Sequence, residues 1–567
     1  MIVAMCLGLM AWLGQSQQSK LAADSRGPET QEASSPDLAK LAVPAKGHPG
    51  FESLDANKVG LTPKEKYKKP KKEPIRETGN SGLAAGDVDG DGMIDLYVCG
   101  METPNVLYLN KGHWQFEDIT IEAGVACKGW RMSGAVFADV DGDNDLDLVA
   151  VSLRDGRNFL FLNDGKGKFT ESLNINWAMH PLGGSVAPAL ADVDSDGDLD
   201  LFVTGFLRKF KKNVPEQAFG KAMRSIDDTI QRAKQEKRPV SLREVQLNLP
   251  RKSRETYAVI EELGPSREHR FMLRPQHMPD VLYLNDGRGN FRAVTDADAR
   301  FFDENGRPMP MPRDPSHEPA FRDVDGDGDP DLYVCSDFEL PDRFWINNGS
   351  GRFRLVDKLA IRRTSQFTMG VDFTDLNRDG HLDFLTVDML SREHKRRKTQ
   401  MGMMSPTPAV VGQVSNRPQI MQNTLFLNRG DTTWAEIAQY AGLKASEWSW
   451  ATVFTDVDLD GHEDLLISTG MTRDFMDSDA LDRIDQEKTK TREKILNRSQ
   501  EVSLTVDLNY LYPTLETPNV AFRNRGDMTF EDVSEKWGFK TEAVSGGMAL
   551  ADFDNDGDLD VIINNDG

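Results

Sequence analysis

The stretch GAVFADVDGDNDLDLVAVS, Gly134–Ser152, decides how this chain folds. A short apolar segment of small residues runs into the acidic loop DVDGDNDLD, and a β-prone run follows it. Two apolar runs joined by a tight Asp/Gly loop specify a β-hairpin. The same form, D-x-D-x-D-G/N-x-x-D, occurs seven times in the 567 residues. Its copies begin at Asp87 (DVDGDGMID), Asp139, Asp192 (DVDSDGDLD), Asp323 (DVDGDGDPD), Asp375 (DLNRDGHLD), Asp456 (DVDLDGHED) and Asp552 (DFDNDGDLD). Successive starts lie 52, 53, 131, 52, 81 and 96 residues apart, so the period is about 52 and three intervals carry inserts.

A second hairpin follows each of the first six loops. Its form is NVLYLNKGHWQFEDI at Asn105–Ile119, with counterparts starting at Asn158, Asp280, Asp342, Asn423 and Asn519. Four strands per ~50-residue unit is the spacing of a propeller blade. The expectation is an all-β fold, a seven-bladed β-propeller over 49–567 with four-stranded blades. Partly helical inserts are expected at about 208–276, 391–422 and 471–518. The seventh unit lacks its second hairpin. The segment PGFESLDANKVGL from Pro49 parallels FEDITIEAGV at Phe116 and FEDVSEKWGF at Phe530. Phe51–Asp55 is therefore expected to be the outer strand of the last blade, closing it from the N-terminal side. The third strand of that blade is missing, so the expectation is a piece of a longer protein, the alternative being a ring left imperfectly closed.

Four carboxylates within nine residues repel one another, and a hard divalent cation with oxygen ligands is the natural compensation. In the first loop, Asp87, Asp89, Asp91 and Asp95 offer side-chain oxygens and Met93 its carbonyl. The second offers Asp139, Asp141, Asp143 and Asp147, with Asp145 at the carbonyl position. The third offers Asp192, Asp194, Asp196 and Asp200, with Asp198; the fourth Asp323, Asp325, Asp327 and Asp331, with Asp329. In the fifth stand Asp375, Asn377, Asp379 and Asp383, with His381. The sixth has Asp456, Asp458, Asp460 and Asp464, with His462; the seventh has Asp552, Asp554, Asp556 and Asp560, with Asp558. Flexible oxygen coordination favours Ca2+ at up to seven sites over Mg2+. Zinc would want repeated His or Cys ligands, and the two histidines fall where the backbone carbonyl binds. An EF-hand is excluded, because its twelfth position must be Glu. Here that position holds Val98, Ala150, Val203, Val334, Thr386, Ile467 and Ile563. Asn377 should weaken the fifth site, and Asn144, in place of the turn glycine, can adopt a left-handed conformation.

The acidity of the chain follows from these loops. Its formal charge is −23, from 91 acidic and 68 basic side chains, and the loops alone hold 27 aspartate ligands. Seven bound Ca2+ would leave about −9, an ordinary surface. Such a chain is no general nucleic-acid binder. The basic insert at 208–276 and the lysine run at 64–72 read as solvated faces.

Residues 1–16 have the form of a signal peptide, with an uncharged apolar run from Ile2 to Leu13, although the first lysine is Lys20. That run is shorter than the ~20 residues needed to span a bilayer. Residues 17–48 read as a flexible linker. The expected location is exported: extracellular, cell-surface or periplasmic, without a membrane span. Cys6 would leave with the signal. Cys99 (LYVCG) and Cys335 (LYVCS) read as buried strand residues, so cysteines form no disulfide scaffold.

The seven units resemble the FG-GAP/VCBS calcium-binding repeats of integrin-α-type β-propellers. DMLSREHKRRKTQMG, LKASEWSWATVFTDVDLDGHEDLLISTGMTRDF and NVAFRNRGDMTFEDVSEKWGF further resemble exported FG-GAP proteins that carry a C-terminal ASPIC/UnbV segment, the cartilage-acidic-protein-like group. The resemblance covers about residues 80–567, and the ASPIC/UnbV segment would lie beyond Gly567. It implies structural calcium and a non-catalytic binding, adhesion or scaffold module for a protein or glycan partner. The binding face would be built from inserts and inter-blade loops, including the Met-rich segment 401–404 and the insert at 208–276. The alternative is a calcium-dependent polysaccharide lyase or hydrolase. Trp448 and Trp450 could stack on sugar rings, but they precede an inner strand and read first as blade packing. No Ser-His-Asp, zincin or phosphate-loop motif supports catalysis.

Overall fold

The computed structural model describes residues 49–62, 81–101, 103–153, 157–177, 183–208, 216–238, 240, 242–250, 257–263, 269–275, 277–338, 340–401, 418–496 and 509–565. The signal and linker readings, the lysine run and most of the Met-rich segment, 402–404, lie outside the described residues.

Each repeat unit folds as an antiparallel meander. The first sheet contains β1 (Leu83–Gly86), β2 (Asp95–Val98), β3 (Val106–Asn110) and β4 (Phe116–Asp118) in that order. The second contains β5 (Met132–Ala138), β6 (Asp147–Ser152), β7 (Phe159–Leu162) and β8 (Thr170–Glu171). The third begins with β9 (Gly183–Ala191) and β10 (Asp200–Arg208). An insert then adds helices Glu216–Gln235 and Leu242–Asn248 and the hairpin β11 (Tyr257–Leu263) and β12 (His269–Pro275). The sheet is completed by β13 (Val281–Leu284) and β14 (Arg292–Ala293). The fourth has five strands. β15 (Phe301–Phe302) pairs parallel with the last of β16 (Ser316–Arg322), β17 (Asp331–Ser336), β18 (Arg343–Ile346) and β19 (Phe353–Leu355).

Past the short β20 (Thr364–Ser365), the fifth sheet contains β21 (Gly370–Thr374) and β22 (Asp383–Val387). It continues, after β23 (Gln419–Ile420), with β24 (Thr424–Asn428) and β25 (Trp434–Glu436). The sixth contains β26 (Ser449–Thr455) and β27 (Asp464–Thr469) and, after β28 (Thr517–Pro518), β29 (Val520–Asn524) and β30 (Phe530–Asp532). The helix Ser478–Leu496 lies in its insert. Beyond β31 (Glu542–Ala543), the seventh repeat forms a two-stranded sheet of β32 (Ser545–Ala551) and β33 (Asp560–Asn565). The architecture is an all-β propeller with six blades of four or more strands and this additional hairpin.

First strands face the axis, where space is smallest, which explains their small residues. A Cβ on Gly134 would come within 2.7 Å of the Val186 carbonyl, and one on Gly82 within 3.1 Å of the Gly134 Cα. Bulk sits between neighbouring sheets. Tyr333, Phe344 and Cys335 of the fourth pack with Phe373, Phe384 and Phe426 of the fifth in one buried cluster. Tyr97 and Tyr333 occupy the same second-strand register, as Phe202 does in the third sheet, and all three are buried. Cys99, Cys127 and Cys335 are buried free thiols.

In the sixth blade Asn524 reaches the Glu463 carbonyl of its own loop, but in the first five the asparagine closing the third strand ties neighbouring sheets together. Its side-chain N–H reaches a carbonyl of the preceding sheet: Asn163 to Val88, Asn285 to Val140, Asn347 to Val193 and Asn428 to Val324, at 2.8–3.1 Å. Asn110 reaches the Phe553 carbonyl, in the loop of the last hairpin, at 2.7 Å. β32 lies against β26 on one side and β1 on the other.

One expectation needs correction. Phe51–Asp55 is not a strand. The Phe51 N–H donates to the Trp537 carbonyl, and turns follow at Ala56–Gly60. A strand needs a ladder, and among the described residues no third strand stands beside β33 to offer one.

Replacing Asn347 by Ala should remove one of two hydrogen bonds to the buried Val193 carbonyl, which keeps the one from the Gly351 N–H. We expect a loss of about 0.5–1.5 kcal/mol, read from the urea midpoint. A change under about 0.5 kcal/mol would show that the inter-blade tie contributes nothing.

Candidate metal centre

The first loop shows how the acidic residues are held. Asp87 folds its carboxylate back over the turn: Oδ1 accepts from the N–H groups of Gly90 (2.8 Å) and Asp91 (3.2 Å), and Oδ2 from Gly92 (2.8 Å). Asp91 accepts from the Met93 N–H at 2.9 Å. Gly92 sits at φ 87 and Asn144, its replacement in the second loop, at φ 72. The fifth-position carboxylate makes the same turn bond in all seven loops, at 2.9–3.1 Å.

The ninth-position aspartate opens each second strand and is buried in six of the seven. In the first loop Asp95 Oδ2 accepts from the Val88 N–H (2.9 Å) and Oδ1 from the Asn110 N–H (2.7 Å). One carboxylate thus locks the loop to the second hairpin. The Asn110 amide in turn reaches across to the last hairpin. Sequence reasoning gave this aspartate a ligand role and missed the second one. The closing asparagine was visible in every N-x-L-Y-x-N segment, but its partners lie a blade away.

Oxygens of the first, third and ninth residues come within 4.8 Å of one another in four loops: Asp87, Asp89 and Asp95; Asp139, Asp141 and Asp147; Asp192, Asp194 and Asp200; Asp323, Asp325 and Asp331. In the sixth loop the group is Asp456, Asp458 and Asp460. The third-position Oδ1 atoms of Asp141, Asp194, Asp458 and Asp554 are buried and have no hydrogen-bond partner, as is Oδ1 of Asp145. An orphaned carboxylate oxygen among other carboxylates fits a cation. In the fifth loop Asn377 instead donates to Asp379 at 2.9 Å, so this loop relieves part of its own repulsion.

Seventh-position side chains turn away toward the second hairpin. The His381 ring lies where a Cβ on Gly430 would be 2.6 Å from its Nε2, and His462 stands likewise on Gly526. Asp145, Asp198 and Asp329 face Gly165, Gly287 and Gly349, and Met93 faces Gly112. That leaves the backbone carbonyl as the donor at this position.

Burial, reinforced by neighbouring carboxylates, pushes the ninth-position acids far up. Asp95, Asp147, Asp200, Asp383 and Asp464 rise to about 7, Asp331 to about 8 and the less buried Asp560 to about 6, although backbone N–H bonds pull the other way. Burial and then the adjacent acids also raise Asp141, and do so for Asp145 to about 6.

Hairpin turns that carry this repeated acidic loop have the form of FG-GAP-like repeats. The family model described as FG-GAP-like repeat matches residues 87–150, 139–203, 323–386 and 506–563, so these stretches of the chain carry FG-GAP-like repeats. A stretch of 129 residues is 30% identical to cartilage acidic protein 1 of Xenopus tropicalis. It covers 22% of this chain and 19% of that protein, so the match spans about a fifth of the relative's length. Two solved structures align with it. One is a lectin of Agrocybe aegerita described as recognising non-reducing terminal N-acetylglucosamine (14% identity, 86% of each chain, TM-score 0.39). The other is the BP39L lectin of Burkholderia pseudomallei (10% identity, 69% of this chain and 92% of that chain, TM-score 0.30).

The raised ninth-position acids set a pH dependence. A carboxyl whose folded pKa lies above its unfolded value stabilises the metal-free fold fully below about 4, and that contribution is lost as pH rises through about 7. Metal binding needs the deprotonated form. The gain in Tm from millimolar calcium over chelator should therefore grow from pH 5 to pH 7.5. A gain independent of pH in scanning calorimetry would contradict this.

Proposed function

We propose that this is an exported, calcium-binding, seven-bladed propeller that acts as a non-catalytic binding or scaffold module. The hairpin β32–β33 would be the inner half of the seventh blade, and 49–62 its outer edge. The bonds of Asn110 to Phe553, of Phe51 to Trp537 and of Gly547 to the Ser81 carbonyl (3.2 Å) support that closure. Trp114, which donates to Asp554 at 2.8 Å, adds to it. Calcium is the proposed structural cofactor, held by the first, third, fifth and ninth side chains with the seventh carbonyl. Its charge would offset the repulsion that the loops now carry. At one hundred times its Kd, each site would add about 2.7 kcal/mol.

The observation that carries the binding role is a cavity of about 1260 Å³ on the propeller axis. Small residues such as Gly82, Gly134 and Ala187 form one wall. Large ones crowd the other at the end opposite the acidic loops: Phe206, Phe338, Phe367, Trp448, Trp450 and Met389. Such a concave, largely apolar site with a few polar groups suits a protein side chain or a glycan. A glycan-active enzyme is the second reading, favoured by the His317 Nε2–Asp337 pair at 3.4 Å within the same cavity. Against it, among the described residues no hydroxyl or thiol is hydrogen-bonded to the His317 ring; the Thr204 hydroxyl donates to its backbone carbonyl instead.

No helix among the described residues is long and apolar enough to cross a membrane. Export is proposed from residues 1–16, which a secretion assay on the full chain against one lacking them would test.

Chelation should lower the Tm by many degrees, and calcium should restore it, while glycan arrays yield binding without cleavage products. Calcium-dependent cleavage would replace the binding reading with the enzymatic one. Absence of calcium uptake in calorimetry would remove the cofactor.

A further inference from the structure

The sixth acidic loop is built differently from the others. Before the closing asparagine of the third strand, other blades have Leu109, Leu162, Leu284, Ile346 and Leu427, whereas β29 has Arg523. Its guanidinium turns onto the loop of its own blade. Nε donates to Asp458 Oδ2, and Nη2 donates to Asp460 Oδ2 at 2.5 Å. The side chain is 31% exposed and Asp458 only 9%, so this is a half-buried pair with directed hydrogen bonds. Such charge-assisted bonds are stronger than a solvated surface pair.

A second observation points the same way. In four other loops the carboxylates that converge belong to positions one, three and nine; here they belong to one, three and five. A planar fork that bridges Asp458 and Asp460 accounts for the change, because it draws the fifth-position acid toward the third. Elsewhere a basic group beside the third position makes a single looser contact, as Lys111 does at 3.8 Å from Asp89 and Arg300 at 3.7 Å from Asp194.

We infer that Arg523 is a resident counter-charge for the sixth loop, so that the hairpin β26–β27 keeps its fold at calcium levels that loosen β5–β6, and that this loop binds calcium more weakly than the second. This rests on the calcium reading above. The guanidinium relieves repulsion among Asp456, Asp458, Asp460 and Asp464 without a metal. Asp458 Oδ1 stays buried and unpartnered, so the loop keeps an oxygen for the ion. An arriving Ca2+ must then bind next to a positive charge, which lowers its affinity.

Hydrogen exchange of the full chain, in calcium and in chelator, tests this by peptide. Chelation should speed exchange of β5–β6 on the order of tenfold and of β26–β27 by no more than about twofold. In Arg523→Leu, β26–β27 should respond as β5–β6 does. Leu162→Arg, which carries the test if Arg523→Leu does not fold, should make β5–β6 resistant to chelation. Equal loosening of both hairpins in the unmodified chain overturns the inference, as does an unresponsive β26–β27 in Arg523→Leu or an unprotected β5–β6 in Leu162→Arg. If chelation moves no hairpin at all, β5–β6 included, the calcium reading itself falls.

Discussion

The structure hangs on a buried carboxylate that accepts two backbone hydrogen bonds. Asp95 holds the Val88 N–H with one oxygen and the Asn110 N–H with the other. Asp147, Asp200, Asp331, Asp383 and Asp464 repeat the pairing. Because the same asparagine reaches back to the preceding sheet in most blades, one side-chain pair fixes loop, meander and neighbour together. Removing either member would leave buried polar groups unpaired, which costs more than the bond contributes.

That arrangement has an electrostatic consequence. A carboxylate buried beside three others at each loop is costly as an anion, which is why these acids are pushed toward neutrality. The fold resolves this in more than one way. In most loops an orphaned third-position oxygen keeps a place for a cation. In the fifth an amide replaces one acid and donates to another. In the sixth a guanidinium is supplied from within the blade. One repeated loop therefore need not mean seven equal sites.

The strand pairings were legible because they are local. A loop of nine residues between two apolar runs folds on itself, and the hairpin register follows from the alternation. Helices in the inserts were legible for the same reason, the stretch Glu216–Gln235 above all. What escaped was non-local. The asparagine ties run from sheet to sheet, and Arg523 looks from sequence like a solvated strand residue. The hairpin β11–β12 and the parallel edge strand β15 gave no periodic signal of their own. Phe51–Asp55 shows the converse error. Its likeness to two outer strands was real, yet a strand exists only where a ladder partner stands beside it.

The distribution of charge also separates the two ends of the axis. The acidic loops crowd the end where first strands turn into second strands, and their spacing is constrained by the ninth-position locks. Large aromatic side chains gather at the opposite end, in the third to sixth blades, where Phe206 lies 4.8 Å from His317 and Trp448 stacks with Trp450. Nothing in the loop chemistry requires them there. Trp450 satisfies its indole N–H on the Gly470 carbonyl, whereas that of Trp448 is buried without a partner. A wall that leaves such a donor unpaired is poorly explained by packing alone. The period of 52 residues constrains the acidic end, which leaves the aromatic end free to differ from blade to blade.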